Sequence, residues 1–216
     1  MNLTVQDLVT RVRDVLADTG DRWSDDRLIR LIDEAQKNIC RRLNPLRNTV
    51  TIVVSPSQNT YTLPSNTKSV SGVLYNDNKL TQISNNEEGL ENLKGLPIYF
   101  TTNKLERGLL KIIPTPVFVE NDPFDLTKAN TLTLYYIKNP ETLTSLTDEL
   151  ELEDLYMTTL KHYIVGNLLR EDTDAQNRAF GNEELSLYES ELRQLTVETE
   201  KDFNSNPTYE TKYWRV

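Results

Sequence analysis

The sequence predicts an α+β fold: an antiparallel four-helix bundle with an inserted small β-sandwich or barrel module and an extended C-terminal tail. Three observations carry that expectation. Apolar residues at helical spacing run through 1–48 and 141–200, short β-branched and aromatic runs occupy 49–140, and 201–216 has no period. A pair of helices at either end cannot cover its apolar faces alone. The two pairs are therefore expected to form one helical bundle, 1–48 with 141–200, around a β-rich insertion, 49–140, with 201–216 as an arm.

The first helix is read at 4–17. Thr4 caps it, Asp7 stands in the capping-box place, and Val5, Leu8, Val9, Val12, Val15 and Leu16 share a face. Thr19-Gly20-Asp21 breaks it. Ser24 caps a second helix whose stripe is Leu28, Leu31, Ile32, Ala35 and Ile39, with Asp25 and Asp26 in the first turn and Asn44-Pro45 as the stop. Strands are read at 49–54, 60–63, 69–75, 98–101, 109–113 and 131–137, each bounded by Pro, Asn or Ser. A brief helix is expected at 85–94 and an exposed loop from Pro114 to Pro123. Helical period returns over Asp148–Arg170, with Leu152, Leu155, Tyr156, Leu160, Tyr163, Ile164 and Leu168 facing in; Gly166 there predicts a close helix crossing. A last helix follows Asp174 and runs to about Glu200, with Phe180, Leu187, Tyr188, Leu192 and Leu195 on its apolar side.

Composition narrows the function. The net charge is −9 over 216 residues, so non-specific attraction to a DNA backbone is not expected. By segment the net charge is +1 over 1–48, 0 over 49–140, −11 over 141–200 and +1 over 201–216, so the acidity is concentrated in one stretch. A lone cysteine, Cys40, forms no internal disulfide and points to no oxidising compartment. Charges at Asp7, Arg11, Arg13 and Asp14 exclude the apolar core of a signal peptide, and no run reaches the length of a membrane span; a soluble protein made in a reducing cytoplasm is expected.

No chemistry stands out. His162, the single histidine, has no Cys or Ser motif with it and reads as a packed or surface imidazole. Cys40 reads as a buried small residue despite the arginines near it. One Cys and one His cannot make a zinc site, and the seven glycines form neither a dinucleotide fingerprint nor a phosphate loop. The pairs Asp25-Asp26, Glu87-Glu88 and Asp172/Asp174 could ligate magnesium, but capping and solvated faces explain them more simply. No enzyme, metal or cofactor is expected. Arg41, Arg42 and Arg47 read as complements to a helix end and an acidic neighbour. A helix-turn-helix over 4–42 would offer Asp25, Asp26, Asp33 and Glu34 to DNA, a poor recognition face. The aromatic tail, with Phe203, Tyr209, Tyr213 and Trp214, reads equally well as folding back on its own bundle or as an arm that anchors in a partner.

Two stretches carry a resemblance. Residues 4–43 resemble the opening of phage head-to-tail adaptor (connector) proteins, with the pattern W-S-[DE]-x-x-L-I-x-L-I-[ND]-x-A-Q. It is met here by Trp23, Ser24, Asp25, Leu28, Ile29, Leu31, Ile32, Asp33, Ala35 and Gln36; Asn is more usual where this chain has Asp33. Residues 135–192 resemble the family's strand, Pro-containing turn, acidic D-E-L and inward-facing helix, in Pro140, Asp148, Glu149, Leu150, Tyr156, Leu160 and Tyr163, with Glu153 where a proline is expected. These are packing motifs, and the β-region matches only in general pattern.

The resemblance implies a homo-oligomeric ring, a dodecamer, stacked on the portal of a short-tailed phage and bound below by tail nozzle or fibre proteins. It implies a virion neck location, assembly in the host cytoplasm, DNA passing non-specifically through a central channel at ejection, no membrane and no catalysis. Phe203, Tyr209, Tyr213 and Trp214 are then candidates for portal docking. Asp148, Glu149, Glu151, Glu153, Asp154, Glu171, Asp172 and Asp174 are candidates for an acidic channel lining. Two alternatives stay open: a tail-tube or nozzle component, and, from another class, an acidic helix-turn-helix-like regulator.

Overall fold

The computed structural model describes residues 3–20, 22–55, 57–84, 93–102, 108–117 and 130–205, with the side chains of 198–205 excepted. It is mixed α+β, with four α-helices and two four-stranded sheets. The chain divides into two compact units, one from Leu46 to Asn139 and one joining the residues up to Pro45 with those from Pro140 onward.

In the second of these, α1 (Val5–Leu16) starts at the expected capping box: the Thr4 hydroxyl accepts from the Asp7 N–H and the Asp7 carboxylate accepts from the Thr4 N–H. It ends where Ala17 turns left-handed at φ 49°. α2 (Asp25–Leu43) is capped by the Ser24 hydroxyl and closes on a left-handed Asn44. Its buried stripe holds all five expected residues, together with Ile29, Gln36, Cys40 and Leu43. Cys40 is the packed small residue it was read to be.

α3 (Met157–Arg170) is shorter than the helix expected from Asp148, and a 3-10 turn, Asp154–Tyr156, precedes it. Residues 144–151 are instead held away from helical geometry: the Val5 and Gln6 N–H groups donate to the Asp148 and Leu146 carbonyls, and the Leu150 N–H donates to the Leu3 carbonyl. Leu155 consequently points outward and is 53% exposed. α4 (Ala175–Ser205) also departs from expectation. It continues five residues past Glu200, so 201–205, including the backbone of Phe203, is helix rather than extended arm. The cause is simple: no breaker occurs before Pro207. The side chain of Phe203, with Tyr209, Tyr213 and Trp214, lies outside the described residues.

Three residues read as facing inward are on the surface: Val15 at 54%, Phe180 at 51% and Leu187 at 44% exposure. Tyr188, Leu192 and Leu195 are buried as expected. α3 packs on α1, α2 and α4, which is why its stripe is broad.

The first unit holds eight strands. One sheet has the order β1-β8-β3-β4, from β1 (Arg47–Val53), β8 (Thr131–Lys138), β3 (Thr67–Tyr75) and β4 (Asn78–Lys79). The other has β2-β7-β6-β5, from β2 (Thr60–Thr62), β7 (Leu109–Ile113), β6 (Tyr99–Thr102) and β5 (Thr81–Gln82). The six expected strands are present. β4 and β5, two residues each and wholly polar, had no apolar alternation to show them; β4 is made by the left-handed pair Asn76-Asp77, which turns β3 back on itself. Leu132, Leu134 and Tyr136 alternate inward along β8 and join Val73, Phe100, Leu110 and Ile112 in one apolar cluster drawn from both sheets. Of the loop expected at Pro114–Pro123, Pro116 is buried and its carbonyl accepts from the Ser57 N–H, so that part is not exposed. Most of the helix expected at 85–94 lies outside the described residues, and Lys94 bridges to Thr115 instead of helical neighbours.

Candidate assembly surfaces of the helical unit

The motif residues act first on the strap formed by residues 140–153, which returns the chain to the helices. From α2, the Asp33 carboxylate accepts from the Leu143 N–H at 3.1 Å, and its other oxygen pairs with Lys37 at 2.7 Å. Lys37 reaches on to the Thr142 hydroxyl at 3.0 Å. Gln36, fully buried, accepts from the Glu151 N–H at 3.2 Å and makes a long contact to the Glu141 carbonyl at 3.5 Å. Asp148 folds the strap on itself, accepting from the Thr144 and Ser145 N–H groups at 2.7 and 2.9 Å. Those bonds, Thr144 first, hold its carboxyl below the usual range.

The α1–α2 turn is tied by Arg13, which donates to the Asp25 carboxylate at 2.6 Å and to the Trp23 carbonyl at 3.3 Å. The Arg22 guanidinium lies 4.4 Å from the centre of the Trp23 ring. Arg22 also pairs with Asp172, and Arg27 with Glu171, which fastens α2 to the α3–α4 turn. Asp172 further accepts from the Asn177 amide, and these contacts, Asn177 first, bring its carboxyl down to about 2. Asp174 caps α4 through the Gln176 N–H at 2.7 Å.

α3 and α4 form a tight antiparallel hairpin. A Cβ on Gly166 would lie 2.7 Å from Leu185 Cγ, and one on Gly181 would lie 2.8 Å from the Gly166 carbonyl oxygen and the Arg170 nitrogen. The close crossing expected at Gly166 is thus present, with Gly181 as its partner. His162 sits between two glutamates, with Nδ1 2.5 Å from Glu184 and Nε2 3.4 Å from Glu191. Glu191 also accepts from the Thr159 hydroxyl at 2.9 Å. Tyr163 meets Tyr188 edge to face at 5.1 Å, and the Tyr188 hydroxyl donates to Asn38 at 3.1 Å. Burial first of all pushes Tyr188 up to about 12. Arg42 holds Glu189 with two bonds of 2.7 and 2.8 Å, the acidic neighbour expected for the arginine cluster.

The acidic residues therefore fall into different settings. Asp148, Glu171, Asp172 and Asp174 are tied into turns, ion pairs or a cap, while Glu149, Glu153 and Asp154 are exposed and Glu151 is half-buried. Of the motif residues, Leu28, Ile32, Ala35, Gln36, Tyr156 and Leu160 are buried, and Trp23 and Tyr163 half-buried. Among the described residues no three His, Cys, Asp or Glu side chains converge to hold a metal. No described helix is long and apolar enough to cross a membrane.

Sequence reasoning missed the outward pair Phe180 and Leu187. Seven residues apart, they share one face of α4, and that spacing was visible, but it does not say which face is covered.

A family model described as SU10 adaptor protein matches residues 3–209. The chain belongs to the SU10 adaptor protein family. The match takes in both helical ends and the β-rich unit between them. No curated protein matches the chain. The assignment makes this adaptor a bacteriophage structural protein and a virion component rather than a member of a catalytic family. In an adaptor, a buried Gln36 and a carboxylate-bound strap are what hold a helical unit rigid enough to present its outer faces to other virion proteins.

Proposed function

We propose that this adaptor forms a ring, a dodecamer, under the phage portal, joins capsid to tail, and leaves a channel through which DNA passes at ejection. The observation that carries the reading is the outward face of α4. Phe180 and Leu187, both about half exposed, stand on it beside Glu183, which suits a surface covered by a neighbouring subunit. α1 and α4 each pack on α3, and both keep large apolar residues outside, Val15 on α1 and the Phe180–Leu187 pair on α4. Two unlike faces on one subunit suit a head-to-tail contact that closes into a ring.

The finer architecture belongs to the same proposal. Four helices around α3 act as one antiparallel bundle, supported by the contacts of α3 with the other three. The two sheets act as a small sandwich or barrel, supported by their shared apolar cluster. Exposed Glu149, Glu153 and Asp154 are the acidic residues best placed to repel passing DNA, and Phe203, Tyr209, Tyr213 and Trp214 supply the anchors for the portal. Tail nozzle or fibre proteins bind below.

Negative-stain imaging of the purified chain, alone and mixed with its portal, tests this. Rings are expected alone or on the portal, and the double variant Phe180→Glu, Leu187→Glu is expected to stay folded and lose them. A compact monomer that ignores the portal would overturn the reading in favour of a nozzle or tail-tube component.

A further inference from the structure

Where the strap meets the start of α3, the helical unit carries an open depression of about 450 Å3. Its apolar lining comes from Leu3, Leu150, Leu152 and Leu155, and its acidic lining includes Glu153 and Asp154. Leu155 is 53% exposed, and both acids are exposed. An apolar floor edged by carboxylates is suited to an aromatic, basic peptide.

The register of the hairpin says what lies near. Thr159 bonds Glu191, His162 meets Glu184, and Gly166 abuts Gly181, so numbers rise on α3 as they fall on α4. Extending that register puts Leu155 about level with Leu195. α4 runs on to Ser205, about 15 Å further at the helical rise. Eleven residues follow, NPTYETKYWRV, which can span about 36 Å when extended. Pro207 ends the helix, and the remaining length is ample to come back to the depression. The chemistry matches too. Tyr213 and Trp214 are flanked by Lys212 and Arg215, opposite in sign to Glu153 and Asp154.

We propose that in the free subunit the chain's own C-terminal segment, Lys212 to Arg215, docks in this depression. Its aromatic rings lie on Leu155, and its two cations face Glu153 and Asp154. The contact is intramolecular, so a tether of this length supplies an effective concentration near millimolar and a modest site is kept filled. It is also reversible: a partner that grips the aromatics more tightly draws the segment out and bares Glu153 and Asp154. The docking concerns the free subunit and does not rest on the ring.

The chain has two tryptophans, so Trp23→Phe leaves Trp214 as the sole emitter. Acrylamide quenching of Trp214 is then read in the full chain and in a synthetic 206–216 peptide. A quenching constant roughly threefold lower in the chain than in the peptide is expected for a mostly filled tethered site. Adding Leu155→Glu, Glu153→Lys and Asp154→Lys, all on exposed residues, is expected to raise it to the peptide's value with circular dichroism unchanged. Trp214 as open to quencher in the chain as in the peptide would overturn the proposal. Shielding that survives the triple substitution would overturn the depression as its place, and shielding that vanishes on dilution would overturn the intramolecular contact in favour of a second copy.

Discussion

At Gly181 the missing side chain matters more than backbone freedom. Helix propensity favours alanine over glycine by about 1 kcal/mol, so a plain helical glycine would gain from the change. Here the new Cβ would meet two backbone atoms at 2.8 Å, which a side-chain rotation cannot relieve. Gly181→Ala is expected to destabilise the unit by roughly 1–3 kcal/mol through overpacking. Gly166→Ala should be milder, because its nearest contact at 2.7 Å is the Leu185 side chain. Urea midpoints of the two variants check the order, and equal or raised midpoints would mean that the hairpin is looser than described. Asp172 gives a pH signature. Its folded value lies near 2 against an ordinary 3.8, so its contribution is complete above about 3.8 and is lost as the pH falls through 2. The stability difference between the protein and Asp172→Asn should be constant from neutral pH to about 4 and shrink toward zero near 2, measured by urea titration at each pH.

Among the elements, the strap shows why helical period alone misplaced the start of α3. Leu152, Leu155 and Tyr156 have helical spacing, but the N–H of Leu150 goes to Leu3 and that of Glu151 to the Gln36 side chain, so no helical ladder forms there. Gln36 was legible in the family motif, yet its task was not: it satisfies a backbone group from a segment more than a hundred residues away. Gln36→Leu keeps the volume and strands that N–H, which should cost about 1–3 kcal/mol. Amide hydrogen exchange should then show faster exchange over 144–152 than over α2; uniform change would assign the loss to general packing. Much the same applies to α4. Its periodicity puts Phe180 with Leu187 and Tyr188 with Leu195, and nothing local says that the second pair is the one α3 and α2 cover.

For the molecule as a whole, the acidity of 141–200 is in part an internal matter. Arg22, Arg27 and Arg42 from the N-terminal helices pair with Asp172, Glu171 and Glu189, so the +1 and −11 segments meet in one unit. The exposed pairs, Arg42–Glu189 among them, contribute modestly one by one, about 0–1 kcal/mol, but they orient α2 against the hairpin. Ending the chain at Ser205 should leave thermal unfolding nearly unchanged and abolish portal binding, read by co-sedimentation. Undiminished binding would place the portal contact on the helices instead.

The sequence by itself determined the α+β class, the caps of α1 and α2, the six longer strands and the adaptor family, because each is written in local period, local hydrogen-bonding residues or a contiguous motif. Tertiary structure alone decided which apolar faces are covered, which carboxylates are held in ion pairs, and where the strap stops being helix. Those outcomes depend on partners distant in the chain: Leu3 for Leu150, Gln36 for Glu151, Arg27 for Glu171. No local pattern encodes a donor whose acceptor lies a hundred residues away.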